Sequence, residues 1–400
     1  MEFFSVYDVL LDKTREKKLS VDEMFLFFRK RKISKKRIEE LQQSVCFSCR
    51  DIKDAVLEYL EMSELELNLR LGFVPSEYRE SYYNQIDKIA ELLVKSEKSL
   101  DTTYMPYYEN SQGRLYKGDC TEVLRCIPDE SIDMVFADPP FNLGKAYDPG
   151  VNDDLTMSEY LNWTFEWLDE CVRVLKVGGR IFVYNLPQWC VFVSHYLGKQ
   201  LTYWDWIAID MKYTLPLKNR LYPSHYALIS YIKGIKANTF NNQRIPMQVC
   251  RHCGGEVKDY GGYKSKMDSK GLNVSDVWTD IYPVRHKNTK NRKYNELSVK
   301  LLDRIISMST NPEDTILDPF GGSGTTFAVA QALNRKWIGI EIGDCEIIKN
   351  RLLNPTQDLE QLRKISEEKG RLFTEATIEL RKQHNFWTCD SFERTEGTSQ

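Results

Sequence analysis

Two short stretches carry residue types whose spacing could do chemistry. The first is Asp138-Pro139-Pro140-Phe141, directly after the apolar run Ile132 to Ala137. A run with β-branched residues reads as a buried strand, so Asp138 lies where that strand ends. Two prolines cannot donate to a sheet and force a stiff turn with free carbonyls. The Asp138 carboxylate and the Pro139 carbonyl then form two acceptors facing one way, beside the flat ring of Phe141. That set suits a planar group with an exocyclic amine, which donates twice and stacks once. A plain turn that stops a strand is the other reading of the same residues.

The second stretch is Thr315-Ile316-Leu317-Asp318-Pro319-Phe320-Gly321-Gly322-Ser323-Gly324-Thr325-Thr326, followed by the apolar Phe327 to Leu333. It reads as strand, glycine turn and helix, the arrangement that brings backbone close to a ligand at a helix N-terminus. No Lys follows the last glycine, which excludes a Walker phosphate loop. Lys336 to Glu341 reads as the next strand, with an acid at its end. Glu341 stands 17 residues after Gly324, near the spacing of an acid that grips ribose hydroxyls.

Together and in this order, the two stretches resemble the β group of DNA amino-methyltransferases, over roughly Arg114 to Leu353. The resemblance implies an α/β fold: a Rossmann-like, circularly permuted methyltransferase sheet with helices on both faces. It also implies S-adenosylmethionine as cofactor and methyl transfer to adenine N6 or cytosine N4 in duplex DNA. Asp138, Pro139, Pro140 and Phe141 match the catalytic motif. Asp119, Cys120, Asp138, Asn295, Leu297, Ser298, Asp318, Phe320, Gly322, Ser323, Gly324, Thr325, Thr326, Glu341 and Ile342 match cofactor-binding positions. On its residues alone Asp119 reads nearly as well as the cap of a helix from Thr121 to Cys126, and the resemblance tips it toward the cofactor. An Asp in first position goes mostly with adenine in the resembled family, so adenine N6 is the expected target. Phe141 stands where Tyr is more common, keeping the ring and losing a hydroxyl.

The elements that must position these residues divide the chain into five stretches. Residues 1–100 read as a helical accessory region, with a capping box at Ser20 and Glu23. Arg29 to Arg37 is a run of cations there, a solvated helix face or a surface for nucleic-acid phosphates. Residues 101–236 form the catalytic half. In it a helix spans Met157 to Leu175 and stops at Lys176-Val177-Gly178-Gly179, and strands span Arg180 to Asn185 and Trp204 to Met211. The return strand Ala227 to Lys233 matches the family's strand pair beside the target base, where Lys212, Tyr213 and Tyr222 could reach the base or its phosphate, or equally be ordinary sheet-surface residues. Residues 237–282 read as an inserted target-recognition segment that is not part of the sheet, and residues 283–355 as the cofactor half. Residues 356–400 read as a helical and polar tail without evident chemistry.

Lys145, Lys212, Lys218 and Arg220, with Arg285, Lys287, Lys290, Arg292 and Lys293, are the expected phosphate contacts. Cys250-Arg251-His252-Cys253 resembles half of a zinc knuckle, yet tetrahedral zinc needs four ligands and no second pair lies at ribbon spacing. Thiols that pack a loop are the plainer reading, and no metal is expected.

A net charge of −3 over 400 residues asks a nucleic-acid binder for a local basic face. No apolar window is long enough for a membrane span, and the start of the chain lacks the features of a signal peptide. Ten cysteines without those features fit reduced thiols in a cytoplasmic protein. No Pro-Cys pair occurs, which argues against a cytosine carbon-5 methyltransferase. An RNA or protein-amide methyltransferase and a non-catalytic DNA-binding module are the rivals. Duplex DNA is the expected partner, and the resemblance leaves room for a homodimer and a cognate restriction endonuclease.

Overall fold

The structure is a computed structural model and describes residues 5–43, 50–74, 78–85, 88, 104–144, 154–211, 215–216, 218–219, 221–282, 284 and 296–388. The chain forms two units. One comprises Met1–Thr102 and Pro140–Leu168, the other Thr103–Pro139 and Asp169–Gln400.

The first unit begins with six helices: α1 (Val6–Glu16), α2 (Val21–Lys30), α3 (Lys35–Glu39), α4 (Arg50–Leu60), α5 (Glu64–Arg70) and α6 (Arg79–Tyr83). The expected capping box is present: the Ser20 hydroxyl accepts from the Glu23 amide, and the Glu23 carboxylate accepts from the Ser20 amide. Met24, Phe28, Ile38, Ile52, Val56 and Leu60 are fully buried in one cluster with Val6 and Leu10 of α1. Buried Asp8 accepts from the hydroxyls of Ser5 and Ser158, each at 2.6 Å, which ties residues after Pro140 to α1. The Tyr160 hydroxyl donates to the Pro140 carbonyl at 2.7 Å.

The second unit holds a nine-stranded sheet. Its strands are β1 (Tyr108–Glu109), β2 (Gly113–Lys117), β3 (Ile132–Ala137), β4 (Leu175–Asn185), β5 (Thr202–Asp210), β6 (His225–Ile232), β9 (Val277–Trp278), β10 (Thr315–Asp318) and β11 (Lys336–Glu341). β7 (Arg244–Ile245) and β8 (Leu272–Asn273) pair separately. The order is β1-β2-β11-β10-β3-β4-β6-β5-β9. β2, β11, β10, β3 and β4 run parallel, and β6 and β5 add an antiparallel pair. β3 and β10 are buried almost throughout, as befits parallel strands covered on both faces. The permutation is visible in the register: Val135 of β3 lies beside Leu317 of β10.

The helices that follow in the chain are α7 (Cys120–Leu124), α8 (Met157–Val174), which runs on from the first unit, α9 (Pro187–Leu197), α10 (Val299–Ser309), α11 (Thr325–Ala332), α12 (Cys345–Leu353), α13 (Thr356–Glu368) and α14 (Glu375–Gln383). Among the described residues no helix is long and apolar enough to cross a membrane.

Two expectations need correction. The glycines after α8 do not open a loop; β4 begins at Leu175, and Gly178 (φ 81°) is a kink inside that strand. The segment 237–282 is not wholly outside the sheet, because Val277 and Trp278 pair in parallel with Ala208 and Ile209 of β5 as its last strand.

Candidate active site at the carboxyl edge of the sheet

Four neighbouring parallel strands end in acids at one edge. Asp138 follows β3, Asp318 ends β10, Glu341 ends β11, and Asp119 stands two residues beyond β2. This is the edge at which open parallel sheets bind ligands.

Asp318 anchors the glycine turn. Its Oδ1 accepts from the Phe320 amide at 2.9 Å and its Oδ2 from the Thr326 hydroxyl at 2.6 Å. The side chain is buried, and burial outweighs those two bonds, so the carboxyl is pushed up to about 7, with the Glu341 charge adding to the rise. The turn needs its glycines. Gly324 has φ 80°, and a Cβ there would meet Ile348 at 2.9 Å. Glu341 binds the same turn from the next strand: Oε2 accepts from the Gly322 amide at 2.6 Å and Oε1 from the Gly343 amide at 2.7 Å. Ile342, beside it, is exposed.

Asp138 differs from Asp318. Among the described residues no donor reaches its carboxyl or the Pro139 carbonyl. The residue keeps a partial opening to solvent, while the carboxyl itself lies deep enough for desolvation to hold it well above the usual carboxylate range. The Asp318 charge pushes the same way. Two tyrosines on the next two strands feel its charge. The rings of Tyr184 (β4) and Tyr226 (β6) lie 5.0 Å apart at 39°, and the Asp138 charge adds to the burial that raises both hydroxyls.

Asp119 caps α7, its Oδ1 accepting from the Thr121 amide at 2.8 Å. Cys120 is buried beneath that cap, and desolvation pushes its thiol up. Leu297 and Ser298 are half-buried at the start of α10. The hydroxyls of Ser323 and Thr325 both accept from Arg351 of α12, at 3.2 and 3.0 Å. Pro140 and Phe141 belong to the first unit, with Phe141 half-buried. Lys218 is exposed in a turn. Asn295, Lys145, Lys212, Tyr213, Arg220, Arg285, Lys287, Lys290, Arg292 and Lys293 lie outside the described residues. Among the described residues no group of three or more His, Cys, Asp or Glu gathers as a metal site around Cys250 and Cys253.

Sequence reasoning missed three residues. Tyr184 and Tyr226 were hidden because only antiparallel pairing of β4 with β6 brings them together, Tyr184 lying beside Leu228. Their strand-end positions were the available signal. Arg351 also escaped notice. Beyond the glycine turn it binds Glu296 at 3.1 Å and pairs bidentately with buried Asp358, at 2.9 and 2.7 Å.

Residues 132–350 match the family model described as DNA methylase, of the N6 and N4 type. The whole chain is 49% identical to the type II methyltransferase M.BamHI of Bacillus amyloliquefaciens, over 96% of that protein. It is 33% identical to the DNA adenine methyltransferase YhdJ of Escherichia coli strain K12, over 60% of this chain and 82% of that one. Among solved structures, the PvuII DNA methyltransferase (cytosine-N4-specific) shares 19% identity with a TM-score of 0.45, over 66% of this chain and 96% of that one.

The site fits the family's cofactor, S-adenosylmethionine. Asp318 raises Asp138 and Glu341 raises Asp318, a strain that a positively charged ligand relieves, and the glycine turn leaves Gly322 exposed beside Glu341. With its acids, its glycine turn and its permuted sheet in place, this chain belongs to the N6/N4 DNA methylase family and is an S-adenosylmethionine-dependent DNA methyltransferase.

Proposed function

We propose that the chain methylates the N6 amine of an adenine turned out of duplex DNA at a specific site. The observation that carries this reading is the pair of acceptors at Asp138 and Pro139, which no described donor occupies, beside the Tyr184–Tyr226 rings. S-adenosylmethionine, when bound, supplies an electrophilic methyl group and a positive charge. The chain's own residues prepare the nucleophile. Asp138 and the Pro139 carbonyl accept the two amine hydrogens, draw the nitrogen lone pair out of the ring, and stabilise the charge that develops there. Turning a base out of the duplex costs a few kcal/mol, and stacking on aromatic rings offsets part of it.

The amine geometry is common to adenine N6 and cytosine N4. Two points support adenine: the acid in first position of the motif, and the adenine specificity in the name of YhdJ. The insert 237–282 and the basic residues from Arg285 to Lys293 are the proposed target-reading and phosphate-contacting parts. M.BamHI is named a type II methyltransferase, and a cognate restriction endonuclease is the companion this reading implies.

The test is methyl-labelled S-adenosylmethionine with mixed-sequence unmethylated duplex, followed by digestion and identification of the labelled nucleoside. Labelled N6-methyladenine that disappears with Asp138→Ala supports the reading. N4-methylcytosine would keep the site and overturn the base. Label in RNA or protein alone would overturn DNA as the substrate.

A further inference from the structure

We infer that the first unit carries a duplex-DNA-binding face of its own, a basic helix–turn–helix built on residues 21–43. The inference extends the proposed action on DNA.

The turn between α2 and α3 is closed by backbone hydrogen bonds. The amides of Arg31 and Ile33 both donate to the Phe28 carbonyl, at 2.9 and 3.1 Å, and the Lys32 amide donates to the Arg29 carbonyl at 3.0 Å. This closes α2 with a left-handed residue, Lys32 at φ 61°, where glycine is the usual choice. Ile33 then turns inward, Ser34 stands at the N-cap of α3, and α3 continues as a single 3₁₀ turn, Glu40–Gln43. Met24, Phe28, Ile33, Ile38 and Leu41 point into one core. A helix, a four-residue turn and a second helix held by such a core is the motif that sets a recognition helix in the major groove.

The outward side is cationic. Seven of the nine residues from Arg29 to Arg37 are Lys or Arg, and none is acidic. All seven are exposed. Arg31 pairs with Glu58, and Lys35 lies 3.7 Å from Glu39. The other five have no carboxylate partner among the described residues.

Fold stability accounts for only part of this face: Arg31 lies 3.6 Å from the Phe27 ring centre and Lys35 4.8 Å from that of Phe25. Lys32 takes a conformation that costs less for glycine. Lys35, Lys36 and Arg37 fill the first turn of α3, where the helix dipole disfavours cations. A solvated helix face in this protein looks different: the exposed side of α13 mixes Glu360, Glu367 and Glu368 with Arg363 and Lys364. In a chain of net charge −3, a single-sign cluster fits a polyanion with regularly spaced charges. Residues at the start of a recognition helix are those that reach the groove, and here they are Lys35, Lys36 and Arg37.

The test uses the full chain, wild type against Lys36→Ala/Arg37→Ala. Arg363→Ala/Lys364→Ala on α13 is the charge-matched control. Binding of a fluorescent random-sequence duplex is followed by anisotropy from about 50 to 200 mM salt, the range in which counterion release is well resolved. The slope of log affinity against log salt should fall by about 1.8 in the first variant, about 0.9 per lost phosphate contact, and stay near wild type in the control. Lys36→Arg, alone, should keep the wild-type slope. Equal slopes for wild type and Lys36→Ala/Arg37→Ala would overturn the inference and leave the face to an acidic protein or to solvent. An equal loss in the control would overturn it as well. Salt-dependent binding that needs Lys36 and Arg37, in a protein that puts no methyl group into DNA, would uphold this face and sink the proposed reaction. Methylation of DNA with unchanged slopes would do the reverse.

Discussion

The Glu341 carboxylate holds the Gly322 amide at 2.6 Å and so fastens the glycine turn after β10 to the end of β11. The same carboxylate accepts from Gly343, so one side chain fixes the backbone on both sides of the opening. One side chain thus sets the shape of the turn at this edge of the sheet.

Glu341→Ala should weaken S-adenosylmethionine binding by roughly ten- to a hundredfold, since hydrogen bonds to a charged group contribute about 1.5–3 kcal/mol each. Calorimetric titration of the purified protein checks this. Binding within twofold of wild type would show that the turn holds its shape without Glu341.

Asp138→Ala should lower methyl transfer by about a hundredfold or more, the scale for loss of one preorganised polar group at a reacting centre. The cofactor should bind only a few-fold more weakly, because Asp138 contributes its charge but takes no part in holding the glycine turn. Single-turnover rates with saturating cofactor separate the two effects.

Tyr226→Ala should reduce kcat/KM for DNA by about 5- to 150-fold, the range expected when one base loses roughly 1–3 kcal/mol of stacking. Cofactor affinity should stay unchanged. Steady-state kinetics against duplex concentration is the check, and an unchanged kcat/KM would remove Tyr226 from the pocket wall.

Asp318 gives the ligand-free protein a pH signature. Its carboxyl moves from an ordinary 3.8 to about 7 on folding, so the folded state binds this proton more tightly than the unfolded state. Stability contributed by this group is therefore full below 3.8 and declines as pH rises toward about 7, by at most about 4 kcal/mol. Asp318→Asn removes the titration. The stability difference between wild type and variant, from urea unfolding, should drift against wild type over that window and level off above it. A flat difference would mean that Asp318 ionises normally.

Lys32→Gly should stabilise the fold by about 1 kcal/mol, because glycine adopts the φ of 61° without a Cβ clash. Thermal unfolding reports the gain.

The candidate site was legible because its residues are unusual. An acid before two prolines and a glycine cluster between a strand and a helix have few structural uses. The beginning of β4 was not legible. Lys176-Val177-Gly178-Gly179 has the composition of a helix stop and a loop, but tertiary contacts make it strand. Lys176 reaches both Asp133 oxygens at 2.8 Å, and a Cβ on Gly179 would meet the Asp133 carbonyl at 2.9 Å. β9 was invisible for a similar reason. Two residues carry no periodicity, and Trp278 is held by packing under Arg304, whose guanidinium lies 4.8 Å from the ring while it pairs with Asp280. Tyr184, Tyr226 and Arg351 each act through partners distant in sequence, which spacing alone does not reveal.

The permuted strand order bears on how the protein is made. β10 fills the middle of the sheet, between β11 and β3, yet it is synthesised long after β3. At ordinary elongation rates of about 5–20 residues per second, β3 leaves the ribosome roughly 10–35 s before β10 exists. Through that interval its β10-facing edge has no native neighbour, and the apolar faces beside it lack the helices that follow β10. Such an edge invites pairing with other chains. The nascent chain therefore passes through a long aggregation-prone stage, and its yield in cells should respond to chaperone supply and growth temperature more than the stability of the finished fold would suggest.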